Sequence, residues 1–305
     1  MRIGLPGGAS SVDRMIEQAQ RAEADGFTTL WYASAVGGDP LVAMALAGRA
    51  TTSIELGTSV LQTYTAHPVL QANRAVSVAD GMGRPGFTLG LGPSHRPPIE
   101  DAYGLSYAHP GRHTEEYIQV LTALLQGETV HFEGEDFRVH AGGPPGADSA
   151  PIPVLLAALA PRMLRVAGQL TAGTILWMGN ERAVETHVGP RIRDAAAAAG
   201  RPAPRIVAGL PVAVHDDVDE ARATAARVFA GYGELPNYRR LLDIGGAAGP
   251  EDAAIVGDEA AVTRRIEALF AAGATDVWAA PFPVGDDRSA SRARTRALLQ
   301  ELAAA

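Results

Sequence analysis

His95 is the one histidine of this 305-residue sequence that falls where an α/β enzyme does its chemistry. It follows Gly90-Leu91-Gly92-Pro93-Ser94, a glycine-rich run closing a short apolar stretch. Glycines there let a ligand approach backbone, and an imidazole exchanges a proton near neutral pH. A water-exposed loop histidine is the plain alternative. A second polar mouth is Gly57-Thr58-Ser59-Val60-Leu61-Gln62, which also reads as the end of an ordinary buried strand. A third is Leu159-Ala160-Pro161-Arg162. Proline suits the first turn of a helix, and the free N–H groups beyond it suit phosphate. A simple helix start with a solvated arginine fits those residues equally. Trp177, in Leu176-Trp177-Met178-Gly179-Asn180, reads as an apolar wall or as core.

Several chemistries are set aside. There is no cysteine, so thiolate catalysis and zinc–sulfur sites are excluded. A net charge of −8, with no basic run, argues against nucleic acid. No Gly-x-Ser-x-Gly elbow or Walker loop occurs, and no Gly-x-Gly-x-x-Gly follows the first strand. The pairs Asp216-Asp217 and Asp286-Asp287 read as solvated turns, and no metal site is expected. No signal peptide or membrane span is expected, so the reading is cytoplasmic, with no membrane partner.

These residues need elements to place them, and strands alternate with helices throughout. Strands are predicted over 2–5, 28–32, 54–62, 83–92, 154–158, 173–178, 205–214 and 276–280. Helices are predicted over 13–24, 40–51, 69–80, 113–125, 161–170, 182–199, 219–229, 258–272 and 289–303. Ser10 or Ser11 can cap the first helix and Asp39 the second. A hairpin is predicted over 129–139, a Gly/Pro-rich loop over 142–153, and an irregular lid or connection over 231–250. With 47% hydrophobic residues the chain can bury a large core. Eight such strands favour a (β/α)8 TIM barrel, with a doubly wound open sheet as the alternative. The chain reads as one domain, 1–305, with insertions at 126–152, after strand four, and 230–255, between strands seven and eight.

Gly57-Thr58-Ser59-Val60, then His67-Pro68, then Gly83-Arg84 and Leu89-Gly90-Leu91-Gly92, resemble the luciferase-like monooxygenase superfamily. Arg112-His113-Thr114-Glu115-Glu116, Ile255-Val256-Gly257-Asp258 and Ala272-Gly273-Ala274-Thr275-Asp276-Val277 extend the resemblance over nearly the whole chain. The subgroup it is most similar to is the actinobacterial F420-dependent oxidoreductases, which also resemble methylenetetrahydromethanopterin reductase. The resemblance implies a non-prolyl cis bond at Ser59–Val60, forming a bulge that backs the cofactor ring. It assigns Gly92 and Ser94 to the cofactor, and Leu159, Ala160, Pro161 and Arg162 to its phosphate. The family often has Gly-Gly-Pro at that last segment. His95 is the candidate catalytic residue by its position after strand four; the sugar-phosphate dehydrogenase branch has a glutamate at about this place, and His95 departs from that branch. Gln62 and Trp177 fall to the substrate pocket, and His67 to a structural or cofactor-adjacent role. Where deazaflavin relatives carry an acid and a histidine, this chain has Ala33-Ser34. The implied activity is hydride transfer between C5 of coenzyme F420 and a small organic substrate, in a homodimer. The alternatives are an FMN-dependent monooxygenase and a non-catalytic cofactor-binding barrel.

Overall fold

The computed structural model describes residues 1–33, 39–147 and 151–305. In chain order the elements are β1 (Ile3–Gly7), α1 (Val12–Ala24), β2 (Thr29–Tyr32), α2 (Pro40–Arg49), β3 (Glu55–Thr58), β4 (Leu61–Gln62), α3 (Pro68–Met82) and β5 (Phe87–Gly92). Then come α4 (Pro110–Leu125), the hairpin β6 (Val130–Glu133) and β7 (Arg138–Ala141), β8 (Val154–Leu156), α5 (Pro161–Leu170), β9 (Gly173–Trp177), α6 (Glu181–Ala183) and α7 (Gly189–Ala198). The chain ends with β10 (Arg205–Val214), α8 (Val218–Glu234), α9 (Pro236–Ile244), α10 (Pro250–Ala253), β11 (Ile255–Gly257), α11 (Glu259–Ala271), β12 (Asp276–Pro281) and α12 (Arg288–Ala304).

Eight strands close into a parallel ring in the order β1, β2, β3, β5, β8, β9, β10, β12, with β12 pairing back onto β1. This is a (β/α)8 barrel. Its strands are buried on both faces, so they read as near-continuous apolar runs. The barrel interior is its own cluster: Trp31, Leu155, Ile175 and Val207, with Val60, Ala172 and Trp278 partly buried against them. Gly57 makes room for Trp31, because a Cβ there would sit 2.3 Å from the indole ring. The layer between strands and helices is a second, larger core. Among the described residues no helix is long and apolar enough to cross a membrane.

Helix starts follow the caps. Ser11, Asp39, Asp217, Asp258 and Asp287 each accept a backbone N–H with their side chains. His67 does the same through Nδ1, which makes it the cap of α3. The paired acids at 216–217 and 286–287 therefore do more than sit in solvent. Asp217 and Asp287 are caps, and Asp216 accepts from Arg294 at 2.8 Å.

Three expectations change. The strand predicted over 54–62 breaks into β3 and β4. The strand predicted over 83–92 begins only at Phe87, because residues 83–86 form the turn that ends α3. The stretch predicted irregular at 231–250 is mostly helical, with α8 running on to Glu234 and α9 following. Pro236 is the first residue of α9, so it starts a helix rather than breaking one. Tyr238, Leu241 and Leu242 then form its inward stripe.

Candidate active site

The C-terminal ends of the barrel strands carry most of the residues singled out by sequence. At β3 the ladder to β5 is interrupted. Gly57 pairs with Thr88, and the next pair is Leu61 with Leu91, so β3–β4 holds one more residue than its partner. The extra residue falls at Ser59–Val60, whose peptide bond is cis, as the resemblance implied. Thr58 replaces the missing ladder bonds: its hydroxyl donates to the Gly90 carbonyl at 2.7 Å and accepts the Gly90 N–H at 2.8 Å. Only glycine permits this approach, since a Cβ at position 90 would lie 1.8 Å from the Thr58 carbonyl oxygen. Ser59 N–H is held by the Tyr32 carbonyl at 2.7 Å, so the bulge is fixed on both sides. Val60 points into the barrel interior, and a Cβ at Gly92 would lie 2.9 Å from it.

Beyond β5, Ser94 has φ +62°, an unfavourable region for a non-glycine residue. Its carbonyl accepts from the Tyr107 hydroxyl at 2.7 Å, and its own hydroxyl accepts from Gln62 Nε2 at 3.2 Å. Met178, immediately after β9, has φ +63°. Both lie just beyond the C-terminal ends of barrel strands, and backbone strain of this kind clusters at functional sites.

His95 is half-buried, and its ring makes no hydrogen bond among the described residues. Burial pushes its imidazole below the ordinary value of 6.5, so it is neutral at pH 7. Its ring centroid lies 5.5 Å from that of Tyr238, on α9. Several buried polar atoms near these strand ends also lack partners: Tyr32 Oη, Ser59 Oγ, Trp177 Nε1 and Trp278 Nε1. Buried polar groups in folded proteins are normally bonded, so such a group asks for an explanation.

At the end of β8, Ala160 precedes α5, and no side chain caps its first turn. Leu159 is anchored through its carbonyl, which accepts from His187 Nε2 at 2.7 Å. Arg162 is half-exposed and bonds Glu115 on α4 at 2.7 Å. Its charge is therefore engaged by protein, and the first turn of α5 offers N–H groups rather than a free cation. Ser34, at the position where relatives carry the second of their acid–histidine pair, lies outside the described residues.

The profile of the luciferase-like monooxygenase family matches residues 2–304. The chain belongs to that family. The uncharacterized protein Rv1360 of Mycobacterium tuberculosis is 28% identical over 258 residues, covering 79% of this chain and 75% of that protein. The 5,10-methylenetetrahydromethanopterin reductase of Methanolobus tindarius is 27% identical over 252 residues, covering 78% and 76%. Among solved structures, the coenzyme F420-dependent tetrahydromethanopterin reductase of Methanopyrus kandleri superposes with a TM-score of 0.75 at 20% identity, covering 99% of this chain and 97% of that one. The oxygenating constituent of 3,6-diketocamphane monooxygenase of Pseudomonas putida, in complex with FMN, superposes at 0.73 and 18% identity, covering 99% and 97%.

Four residues of this luciferase-like barrel's mouth escaped sequence reasoning: Tyr32, Trp278, Tyr232 and Tyr238. Trp278 pairs in register with Gly209, where a Cβ would lie 2.3 Å from its ring, so this glycine leaves space for the indole. Tyr232 and Tyr238 come from the segment expected to be irregular. A 238/241/242 apolar spacing was the signal available for them.

Proposed function

We propose that this luciferase-like oxidoreductase is a coenzyme F420-dependent enzyme passing a hydride between cofactor and a small organic substrate. The observation that carries it is the convergence, at one barrel mouth, of the Ser59–Val60 bulge, orphaned Tyr32 and Ser59 hydroxyls, and a neutral, unbonded His95. These residues fit a flat redox cofactor: Val60 offers an apolar back, and the two hydroxyls offer polar contacts. F420, when bound, supplies hydride chemistry at C5. Ser59, Val60, Gly92 and Ser94 hold the ring side, and Leu159-Ala160-Pro161-Arg162 holds phosphate, through the free N–H groups of the first turn of α5 beyond Pro161. Gln62 and Trp177 border the substrate. His95 accepts or returns the proton that accompanies hydride transfer. The reductases named above support F420 among the possible cofactors. The FMN-bound neighbour supports a second reading, an FMN-dependent monooxygenase.

Titration of the purified protein decides between them. F420 is expected to bind at least tenfold tighter than FMN, about 1.4 kcal/mol. Equal affinities or an FMN preference would remove the F420 reading.

We also propose a cytoplasmic homodimer. Val42 and Leu46 on α2, and Leu70 on α3, are exposed beside a groove of about 420 Å³ between those helices. Light scattering should give twice the chain mass, and V42D/L46D should give the chain mass. A monomeric wild type would sink this.

A further inference from the structure

The insertion at 230–255 brings aromatic rings to the barrel mouth. Trp177 at the end of β9 lies 5.0 Å, centroid to centroid, from Trp278 in β12. Tyr232 on α8 meets Trp177 edge-on at 5.9 Å, and Phe229 meets it at 6.1 Å. Tyr232 in turn meets Tyr238 at 5.1 Å, and Tyr238 reaches His95. The result is a continuous wall from inside the barrel to the candidate catalytic histidine, and each of these rings is partly exposed. Rings in contact at such distances form a rigid apolar surface that receives another ring by stacking or edge contact.

The rings that form this wall carry no permanent charge, and Arg74 beside Gln62 is bonded to Asp39. The chain contains no lysine, so only arginine can meet an anion. Arg96, next to His95, is bonded to Glu100 at 2.6 Å. Arg239, next to Tyr238, is bonded to Asp243 and to the carbonyls of Ala247 and Ala248, each at 2.7 Å. Burial favours the neutral form of His95. An ion brought here would lose water without gaining a counter-charge. The wall does hold unsatisfied donors, Trp177 Nε1 and Trp278 Nε1, which call for an acceptor.

Resting on the oxidoreductase reading above, we propose that the substrate of this site is an uncharged, flat, conjugated or aromatic molecule bearing at least one hydrogen-bond acceptor such as a carbonyl oxygen. The 230–255 insertion selects it, through Tyr232 and Tyr238.

Calorimetric titration with three probes built on one ring system tests this: 2-acetylnaphthalene, 2-naphthoate and 2-naphthylmethylammonium. The neutral ketone is expected to bind at least tenfold tighter than either ion. Y238A and Y232A should each weaken the ketone about tenfold while leaving F420 affinity within twofold. Equal or tighter binding of either ion by the wild type overturns the proposal, and that comparison needs no variant to fold. So does a ketone affinity unmoved by both substitutions in variants with native circular dichroism. F420 and FMN are titrated separately on the same protein. Loss of both with the ketone preference intact sinks the cofactor reading alone, and cofactor binding without ketone preference sinks the substrate class alone.

Discussion

The two ends of the barrel handle buried polarity in opposite ways. At the N-terminal end, Arg205 bonds Glu55 at 2.6 Å and Asp276 at 2.6 Å, and Arg2 bonds the same two acids at 2.7 Å each. The Arg205 guanidinium also lies 5.4 Å over the Trp31 ring, closing the barrel floor. Burial opposes ionisation of Asp276, yet the Arg205 hydrogen bonds and charge hold it below the usual carboxylate range. At the C-terminal end the polar groups are held in place but left unpaired: Tyr32 Oη, Ser59 Oγ and the indole N–H groups. Bonded charge dominates at the floor, although Thr29 Oγ1 and Trp31 Nε1 are unpartnered there, and unbonded polar groups without any ion pair dominate at the mouth. That division is the general one for this architecture.

The strongest way to break the comparison is at the floor. R205A leaves Glu55 and Asp276 in place with only Arg2 to neutralise both. Removing one partner from a buried ionic group costs about 3–5 kcal/mol. Arg2 is half-exposed and shares both acids, so the lower end of that range is expected in urea denaturation. F420 affinity of the folded variant should not change. A loss below about 1 kcal/mol would show that the floor is not held by Arg205. The sign with pH follows from Asp276. Its lowered pKa contributes stability above the ordinary carboxylate range, lost as pH falls through the depressed value.

The floor and the mouth were unequally visible in the sequence. The strands and helices of the barrel follow from apolar periodicity and caps, and the seventh strand falls at 205–214 as expected. The ionic floor is invisible in one dimension because Glu55, Arg205 and Asp276 lie far apart along the chain. The mouth was read in part, through Ser59–Val60 and His95, because a local motif marks them. Tyr232 and Tyr238 carry no such mark, because the glycines and Pro236 around them read as irregular chain. In the fold Pro236 sits at a helix start, and Gly245 ends that helix.

At the mouth, H95A sharpens the comparison. No group among the described residues hydrogen-bonds the His95 ring, so its loss should leave stability within about 0.5 kcal/mol. Turnover should fall by roughly 10²-fold, with F420 affinity little changed. Reduced affinity with turnover intact at saturation would make His95 a cofactor contact only. If neither quantity moves, it is a solvated loop residue.

The smallest effect, and the most selective, is in the pH profile. Burial lowers the His95 pKa beneath 6.5, so the neutral form prevails at and above neutral pH. If neutral His95 accepts the substrate proton, kcat/KM is flat from pH 7 to 8. It falls only as pH drops through the depressed His95 pKa, by up to about tenfold per unit beyond it. The tyrosines around it do not titrate in this window. Tyr238 and Tyr32 are both pushed above their ordinary value by burial. His113 is the competing group, because burial lowers its pKa as well, although the Asp136 charge and the Thr63 backbone oppose that. It stacks on Tyr64 at 3.8 Å, in the cluster beside β4, and does not contact the Trp177–Tyr238 wall. H95Q should therefore abolish the acid limb in whatever activity remains, and H113Q should leave it in place. A limb that survives H95Q and disappears in H113Q would move the proton-handling group out of the barrel mouth.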